Sequence, residues 1–296
     1  MWSAFYQSVA HRFSALDWWH FMNYGCADLA GDRAPIALRN EDEDERYCIQ
    51  LYDHVASAVD LRNCDVLEVG CGRGGGASYI ARYLHPKSMV GVDIAGSAIQ
   101  FCRRAHRSEG LRFLKGDAEN LPFADQSFDV VINIESSFCY GDMARFLSEV
   151  GRVLRPGGSF LLADLRLAHE VEGLLADLRA SPLEILETKD ITAEVGHALA
   201  FDHERRVKGM NGKIPFLLRG VVNTFAGVQG TRIPNLLSSG ELVYLNVVLR
   251  KSPGREEDAQ PPDDACRSLP WEGRNVPAAF AQGEARSATA RSPFFF

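Results

Sequence analysis

Residues 66–76 read VLEVGCGRGGG, a short apolar run from Val66 to Val69 that closes on a cluster of glycines. An apolar run of that length bounded by glycine fits a strand buried on both faces. Beyond the glycines, Ala77, Ile80, Ala81 and Leu84 fall at i, i+3, i+4 and i+7, which is one face of a helix. Strand, turn and helix therefore follow one another without a spacer.

The same order repeats on either side. Met89–Val92 is a second strand ending at Asp93, with a helix through Ile99 and Cys102 to about Arg107. Leu111–Leu114 is a third strand, and the continuous apolar run FDVVINI, Phe128–Ile134, is a fourth. Phe146, Leu147, Val150, Val153 and Leu154 mark a helix that Arg155-Pro156-Gly157-Gly158 stops. Ser159–Ala163 is a fifth strand and Leu242–Leu249 a late one. Each crossover must return over the sheet, so the expected class is α/β: a Rossmann-like, doubly wound, mostly parallel seven-stranded sheet.

Three segments lie outside that alternation. Tyr6, Val9, Phe13 and Leu16, with Trp18 and Trp19 close behind, predict an amphipathic helix in an N-terminal cap of residues 1–45. Packing on the domain, a lid over an apolar ligand and a weak membrane-surface contact all suit it. The acidic run at 41–45, EDEDE, is expected as a solvated linker or helix start. Within the main domain, 46–251, residues 166 to about 218 read as a helical insertion that covers a substrate. Residues 252–296 are rich in Pro, Ala, Asp, Glu and Arg without periodicity, and are expected to be a disordered tail.

Composition narrows the function classes. With 46% hydrophobic and 24% charged residues, the 296-residue chain is expected to be a soluble globular protein. A net charge of -7 and no evident basic patch disfavour a nucleic-acid partner. The seven cysteines are scattered without metal-ligand spacing, so reduced thiols, no metal site and a cytoplasmic location are expected. His11, Arg12 and Asp17 interrupt the aromatic N-terminal stretch, which argues against a signal peptide. No apolar run approaches the roughly 20 residues of a membrane span, so no integral membrane contact is expected.

Open α/β sheets bind ligands at the carboxyl ends of their strands. Gly70, Gly72 and Gly74 stand there, where missing side chains let a ligand reach the backbone. Gly70-x-Gly72-x-x-Gly75 also fits a dinucleotide fingerprint, so the glycines alone do not choose a cofactor. Glu68, two residues upstream, suits a ligand carrying ammonium and sulfonium charges better than a pyrophosphate. Asp93 can accept from both hydroxyls of a ribose. Asp117-Ala118, after the third strand, can accept from an adenine amino group and donate a backbone N–H to a ring nitrogen.

VLEVGCGRGGGASYIAR, VGVDIA, GDAENLPFADQSFDVVINIESS and LRPGGSFLLAD resemble, in order and spacing, the motifs of class I S-adenosylmethionine-dependent methyltransferases over residues 46 to 165. GRGGGASYIARYLHP, GDAENLPF and FAGVQGTRIPNLLSSGELVY are similar to bacterial methyltransferases of phthiotriol-type glycolipids and polyketide natural products, extending the likeness to about residue 251. The resemblance implies S-adenosyl-L-methionine as cofactor, bound by Glu68, Gly70, Gly72, Asp93 with Ile94, Asp117 with Ala118, and Asn133 with Glu135 after the fourth strand. It implies that Asn23-Tyr24 closes over the cofactor, making Tyr24 a wall of the site. Phe138 departs from the family, which often has a histidine there as base or acceptor-orienting group. Asp164, at the expected end of the fifth strand, is similar to a carboxylate that helps deprotonate acceptor hydroxyls in sugar O-methyltransferases, with His203 and Tyr140 as fallback candidates. The expected activity is methyl transfer to a hydroxyl of an apolar small molecule: a polyketide, lipid or phenolic natural product. Transfer to carbon of a sterol-like or quinone-like ring, and cofactor binding without transfer, are the alternatives, and Glu68 and Asp117-Ala118 argue against an NAD-dependent oxidoreductase. A homodimer is left open.

Overall fold

The structure, a computed structural model, describes residues 19–31, 34–210 and 227–253. The helix expected over Tyr6–Leu16, the end of the insertion at 211–218 and the tail from residue 254 lie outside the described residues. Seven strands form one sheet: β1 Asp65–Val69, β2 Ser88–Asp93, β3 Leu111–Lys115, β4 Phe128–Ile134, β5 Leu154–Leu167, β6 Leu183–Asp190 and β7 Leu242–Lys251. Their order is β3-β2-β1-β4-β5-β7-β6, with β3 through β5 parallel and β7 antiparallel to both neighbours. Strand order reverses between β1 and β4, so their carboxyl ends diverge into a crevice.

Helices cover both faces. α1 Arg46–Ala56, α2 Gly75–Tyr79 (extended by a wider π-type turn, Ile80–Leu84), α3 Gly96–Ala105, α6 Thr192–Phe201 and α8 Arg232–Ser239 bury Ile49, Val55, Ile80, Ile99, Val195 and Leu237 in a cluster with Val66, Ile132 and Leu161 of the sheet. α4 Met143–Val153 and α5 Val171–Ala180 bury Phe146, Val150, Leu174 and Leu178 against Leu67, Val131 and Leu162 on the opposite face. Alternate residues of one strand thus feed separate cores, as the two-residue period of a strand requires. α4 starts where the Asp142 carboxylate accepts the Arg145 N–H at 2.9 Å, filling an N-terminal donor that the helix cannot pair itself.

Three expectations are corrected. The insertion at 166–218 is not wholly helical, because Leu183–Asp190 forms β6. Its Glu, Leu and Lys favour helix intrinsically, but antiparallel pairing with β7 outweighs that preference. The remainder holds α5, α6 and α7 His203–Met210. The fifth strand does not end at Ala163 but runs to Leu167, its last turns paired residue for residue with β7. For the acidic run the helix start holds and the solvated linker does not: Asn40–Glu45 is a 3-10 turn leading into α1, where Asp42 is buried and takes both guanidinium nitrogens of Arg82 at 2.6 and 2.8 Å, while Glu45 pairs with Arg205 at 3.0 Å. Cys26, Cys48, Cys71, Cys102 and Cys139 carry free thiols as expected, whereas Cys64 is disulfide-bonded. Among the described residues, no helix is long and apolar enough to cross a membrane.

Candidate active site

The turn after β1 is laid across the end of β2. Gly70 and Cys71 donate their N–H groups to the Val92 carbonyl at 2.8 and 2.9 Å, and Gly72 donates to Oδ2 of Asp93 at 2.8 Å. Oδ1 of Asp93 accepts the Ala95 N–H at 2.8 Å, so the carboxylate is fixed by backbone on two sides. Gly70 must be glycine twice over. Its φ is +76°, and a Cβ there would overlap Ser136 and come within 2.9 Å of the Tyr140 hydroxyl. Gly72 also has a positive φ, and Gly74 opens α2 against the ring of Phe113. Ile94 follows Asp93, half-buried; Asp117 is exposed and caps its own loop through the Glu119 N–H at 3.0 Å, with Ala118 buried beside it.

Glu68 lies beneath this turn, 0% exposed. Oε1 accepts the Tyr52 hydroxyl at 2.6 Å, and among the described residues Oε2 has no well-formed hydrogen bond, the Ala77 N–H acting on the carboxyl only weakly. Burial pushes its carboxyl up to about 7. Tyr52 reaches it by lying across α2 at Gly76, where a Cβ would strike the tyrosine ring. The bare turn, the fixed Asp93 carboxylate and the unpartnered oxygen of Glu68 fit S-adenosylmethionine, whose ammonium and sulfonium supply the positive charge that a buried carboxylate lacks.

The other wall is the end of β4. Asn133, 0% exposed, is turned inward: its amide donates to the Val69 carbonyl at 2.9 Å, Ser136 Oγ at 2.8 Å and the Tyr140 hydroxyl at 2.9 Å. Its nitrogen ties β4 to β1, while its buried Oδ1 has no hydrogen-bond partner among the described residues. Tyr140 is held by the same triangle, and burial raises its phenol, which removes it as a base. Glu135, half-buried with φ +48°, places Oε1 on the Tyr24 N–H at 2.8 Å and the Tyr244 hydroxyl at 2.9 Å. Burial first, then the charge of Asp164, pushes its carboxyl up to about 8.

Asp164, expected as the base, is not offered to an acceptor. It lies inside β5, opposite Leu245 of β7, and is 1% exposed. Its oxygens accept the Ser137 hydroxyl, the Phe138 N–H at 3.1 Å and the Leu165 N–H at 2.8 Å, and Oδ2 lies 3.2 Å from the Arg166 guanidinium. Phe138, half-buried, packs on the core and contributes that backbone N–H. Tyr24 is corrected too: its ring is buried at 4% exposure, and its backbone N–H is what faces the site. His203 opens α7 and accepts the Gln229 N–H at 3.3 Å, a local contact.

Residues the motifs did not disclose complete the site. Tyr52 and Tyr244 hold Glu68 and Glu135, and no motif in the sequence marks either of them. Arg206 of α7 donates to the carbonyls of Asn23 at 3.3 Å and Tyr24 at 3.1 Å and pairs with the buried Asp202 at 2.8 Å. Segment 19–27 is thereby strapped over the crevice, with Cys26 donating to Tyr47 and Ala27 to Glu194.

Residues 67–162 match the family model described as a methyltransferase domain. The chain is 47% identical over 209 residues, 71% of this chain and 77% of the relative, to phthiotriol/phenolphthiotriol dimycocerosates methyltransferase of Mycobacterium tuberculosis. It belongs to the S-adenosylmethionine-dependent methyltransferases. A fatty-acid O-methyltransferase of Mycolicibacterium smegmatis is 41% identical over 205 residues, 69% of this chain and 74% of that one. In fold the methyltransferase resembles geranyl diphosphate C-methyltransferase of Streptomyces coelicolor A3(2), with TM-score 0.59 and 16% identity over 83% of this chain and 98% of that one.

Proposed function

We propose that this methyltransferase moves the methyl group of S-adenosylmethionine to an oxygen of an apolar acceptor, a lipid, polyketide or phenolic natural product. Glu68, the turn at Gly70 and Gly72, Asp93 with Ile94, and Asp117 with Ala118 are the groups that would hold the cofactor. Bound there, the cofactor supplies an activated methyl on a good leaving group, so orientation alone can contribute roughly 7 to 11 kcal/mol. The observation that carries the oxygen assignment is Glu135, a half-buried hydrogen-bond acceptor at the crevice that takes the Tyr24 N–H and the Tyr244 hydroxyl on Oε1. A hydroxyl donates to such a group. The names of the two mycobacterial relatives, one a fatty-acid O-methyltransferase, support the same acceptor class.

Labelled methyl transfer to a panel of long-chain fatty acids, phthiotriol-like diols, phenols and quinones tests this, with fragmentation of the product locating the new methyl. Methyl on oxygen of an apolar acceptor is the expected result. Methyl only on carbon or nitrogen, or cofactor binding with no transfer to any acceptor, overturns it.

A further inference from the structure

Five carboxylates stand at or near the carboxyl edge of the sheet, and their surroundings separate them. Glu68 is sealed beneath the glycine turn, Asp93 holds two N–H groups of the backbone there, and Asp117 closes its own loop. Asp164 is enclosed by a hydroxyl, two backbone N–H groups and a guanidinium. Glu135 shares with Glu68 an oxygen that has no well-formed hydrogen bond, but it is not sealed away. It is half-buried, Oε1 takes both of its donors, and Oε2 has no hydrogen bond among the described residues.

The backbone reinforces that aim. At φ +48°, Glu135 occupies left-handed space that costs an ordinary residue about 1–2 kcal/mol, and its N–H is pinned to the Ala163 carbonyl at 2.9 Å. Strain held in place at the mouth of a site points to function when a side chain is directed by it. The two donors on Oε1 come from opposite ends of the chain: Tyr24 on the N-terminal strap, itself clamped by Arg206, and Tyr244 on β7.

We propose that Glu135 is the proton acceptor for the methyl-transfer step, with the Tyr24 N–H and the Tyr244 hydroxyl as the positioning groups that fix its carboxylate. The proposal rests on the oxygen-acceptor reading. As the acceptor oxygen forms its bond to the methyl carbon, its O–H bond breaks toward Oε2 of Glu135. The carbon–sulfur bond breaks with its electron pair remaining on sulfur. Glu135 then returns the proton to solvent, so charge and atoms balance at each turnover.

The groups facing Glu135 set the pH at which it can act. Burial and the like charge of Asp164 on β5 raise its carboxyl, while the Tyr24 N–H, the Tyr244 hydroxyl and Arg206 of α7 oppose them, leaving it at about 8. Tyr52 of α1 also lies within its field. A base titrating near the working pH combines a usable ionised fraction with a strong pull on the proton. Rate therefore rises with pH as Glu135 ionises, levelling above about 8.

Glu135→Gln and Tyr244→Phe test the proposal. Glu135→Gln should lower kcat by about 10² to 10⁴-fold while calorimetric affinity for S-adenosylmethionine stays at the wild-type value. Tyr244→Phe removes a donor to the ionised form, so the acid limb of the kcat profile should move up by about one pH unit, with the plateau recovered at high pH. Infrared titration of the free enzyme gives a readout without turnover: a protonated-carboxyl band that fades near pH 8 and is missing from Glu135→Gln. Parallel loss of cofactor affinity in Glu135→Gln makes it a cofactor ligand and overturns the proposal, as does wild-type kcat in that variant. Transfer by the wild type to carbon alone overturns the oxygen reading itself, a result distinct from either.

Discussion

Replacing Asp164 with asparagine separates a buried anchor from a catalytic base. The wild-type carboxylate satisfies the Ser137 hydroxyl, the N–H groups of Phe138 and Leu165, and the guanidinium of Arg166, whose side chain is only 11% exposed. An asparagine can turn one oxygen to the Oδ2 position, but its amide nitrogen then faces the Leu165 N–H and the Arg166 charge loses its counter-ion. Breaking a buried pair from one side costs about 3–5 kcal/mol, because the remaining charge stays in a medium that solvates it poorly. For a domain of this size each kcal/mol moves the melting point by about 2–4 °C, so Asp164→Asn should melt about 6–20 °C below wild type. Thermal unfolding followed by circular dichroism measures the shift, and methyl transfer well below the variant's Tm measures what remains of activity. Transfer per folded molecule should fall by less than the roughly 10² to 10⁴-fold that loss of a base costs. An unchanged Tm with a hundredfold loss of kcat would refute the assignment of Asp164 as an anchor.

Gly70→Ala should weaken S-adenosylmethionine binding and destabilise the fold, since it adds about 1–2 kcal/mol of left-handed strain and about 1–3 kcal/mol of overlap with Ser136 and Tyr140. Unchanged calorimetric affinity and Tm would show that the turn can yield. Cofactor affinity should rise with pH through about 7, because a cation favours the ionised form of Glu68, and binding below that pH should release a proton. Calorimetry in buffers of different ionisation enthalpy detects the release, and its persistence in Glu68→Gln would remove Glu68 as the source. Stability of the cofactor-free protein should fall as pH rises from about 4.5 to about 8, because Glu45, Glu68 and Glu135 have folded values above the ordinary 4.5 and so keep protons that the unfolded chain has lost. Urea midpoints that stay level or rise across that window would contradict the burial of these groups. The carboxylates held low, Asp42, Asp60, Asp65 and Glu149, act below that range; His106, pushed down to about 4 by burial, opposes the fall up to about 6.5, but it is one group against three.

Much of the parallel half of the sheet was legible because each strand is an apolar run that ends on a residue with a job: Val69 on Gly70, Val92 on Asp93. Those positions depend on local chemistry, which spacing reports. β6 is hidden because Leu183–Asp190 is rich in helix formers and is stabilised as a strand by β7, a partner some sixty positions away. The same partner concealed the true course of β5, and with it the enclosure of Asp164. For Tyr24 the resemblance implies a wall of the site, but the contact of its backbone N–H with Glu135 is one that no side-chain motif can report. Asn133 enters as a ligand contact only through the resemblance; that its amide nitrogen is spent on Val69, Ser136 and Tyr140 is visible only in three dimensions.

The strap over the crevice has a consequence for assembly. Its contacts join Tyr24 to Glu135, 111 positions along, and to Arg206, 182 positions along, and Ala27 to Glu194. During synthesis the strap leaves the ribosome before any of these partners, and it cannot be secured until α7 has been made. The sheet around β1 and β4 can pair earlier, while the closure entropy of such long loops is met only by late contacts. The protein thus has a chronology: the scaffold that recognises the cofactor comes first, and competence at Glu135 arrives only when the two ends of the chain have met.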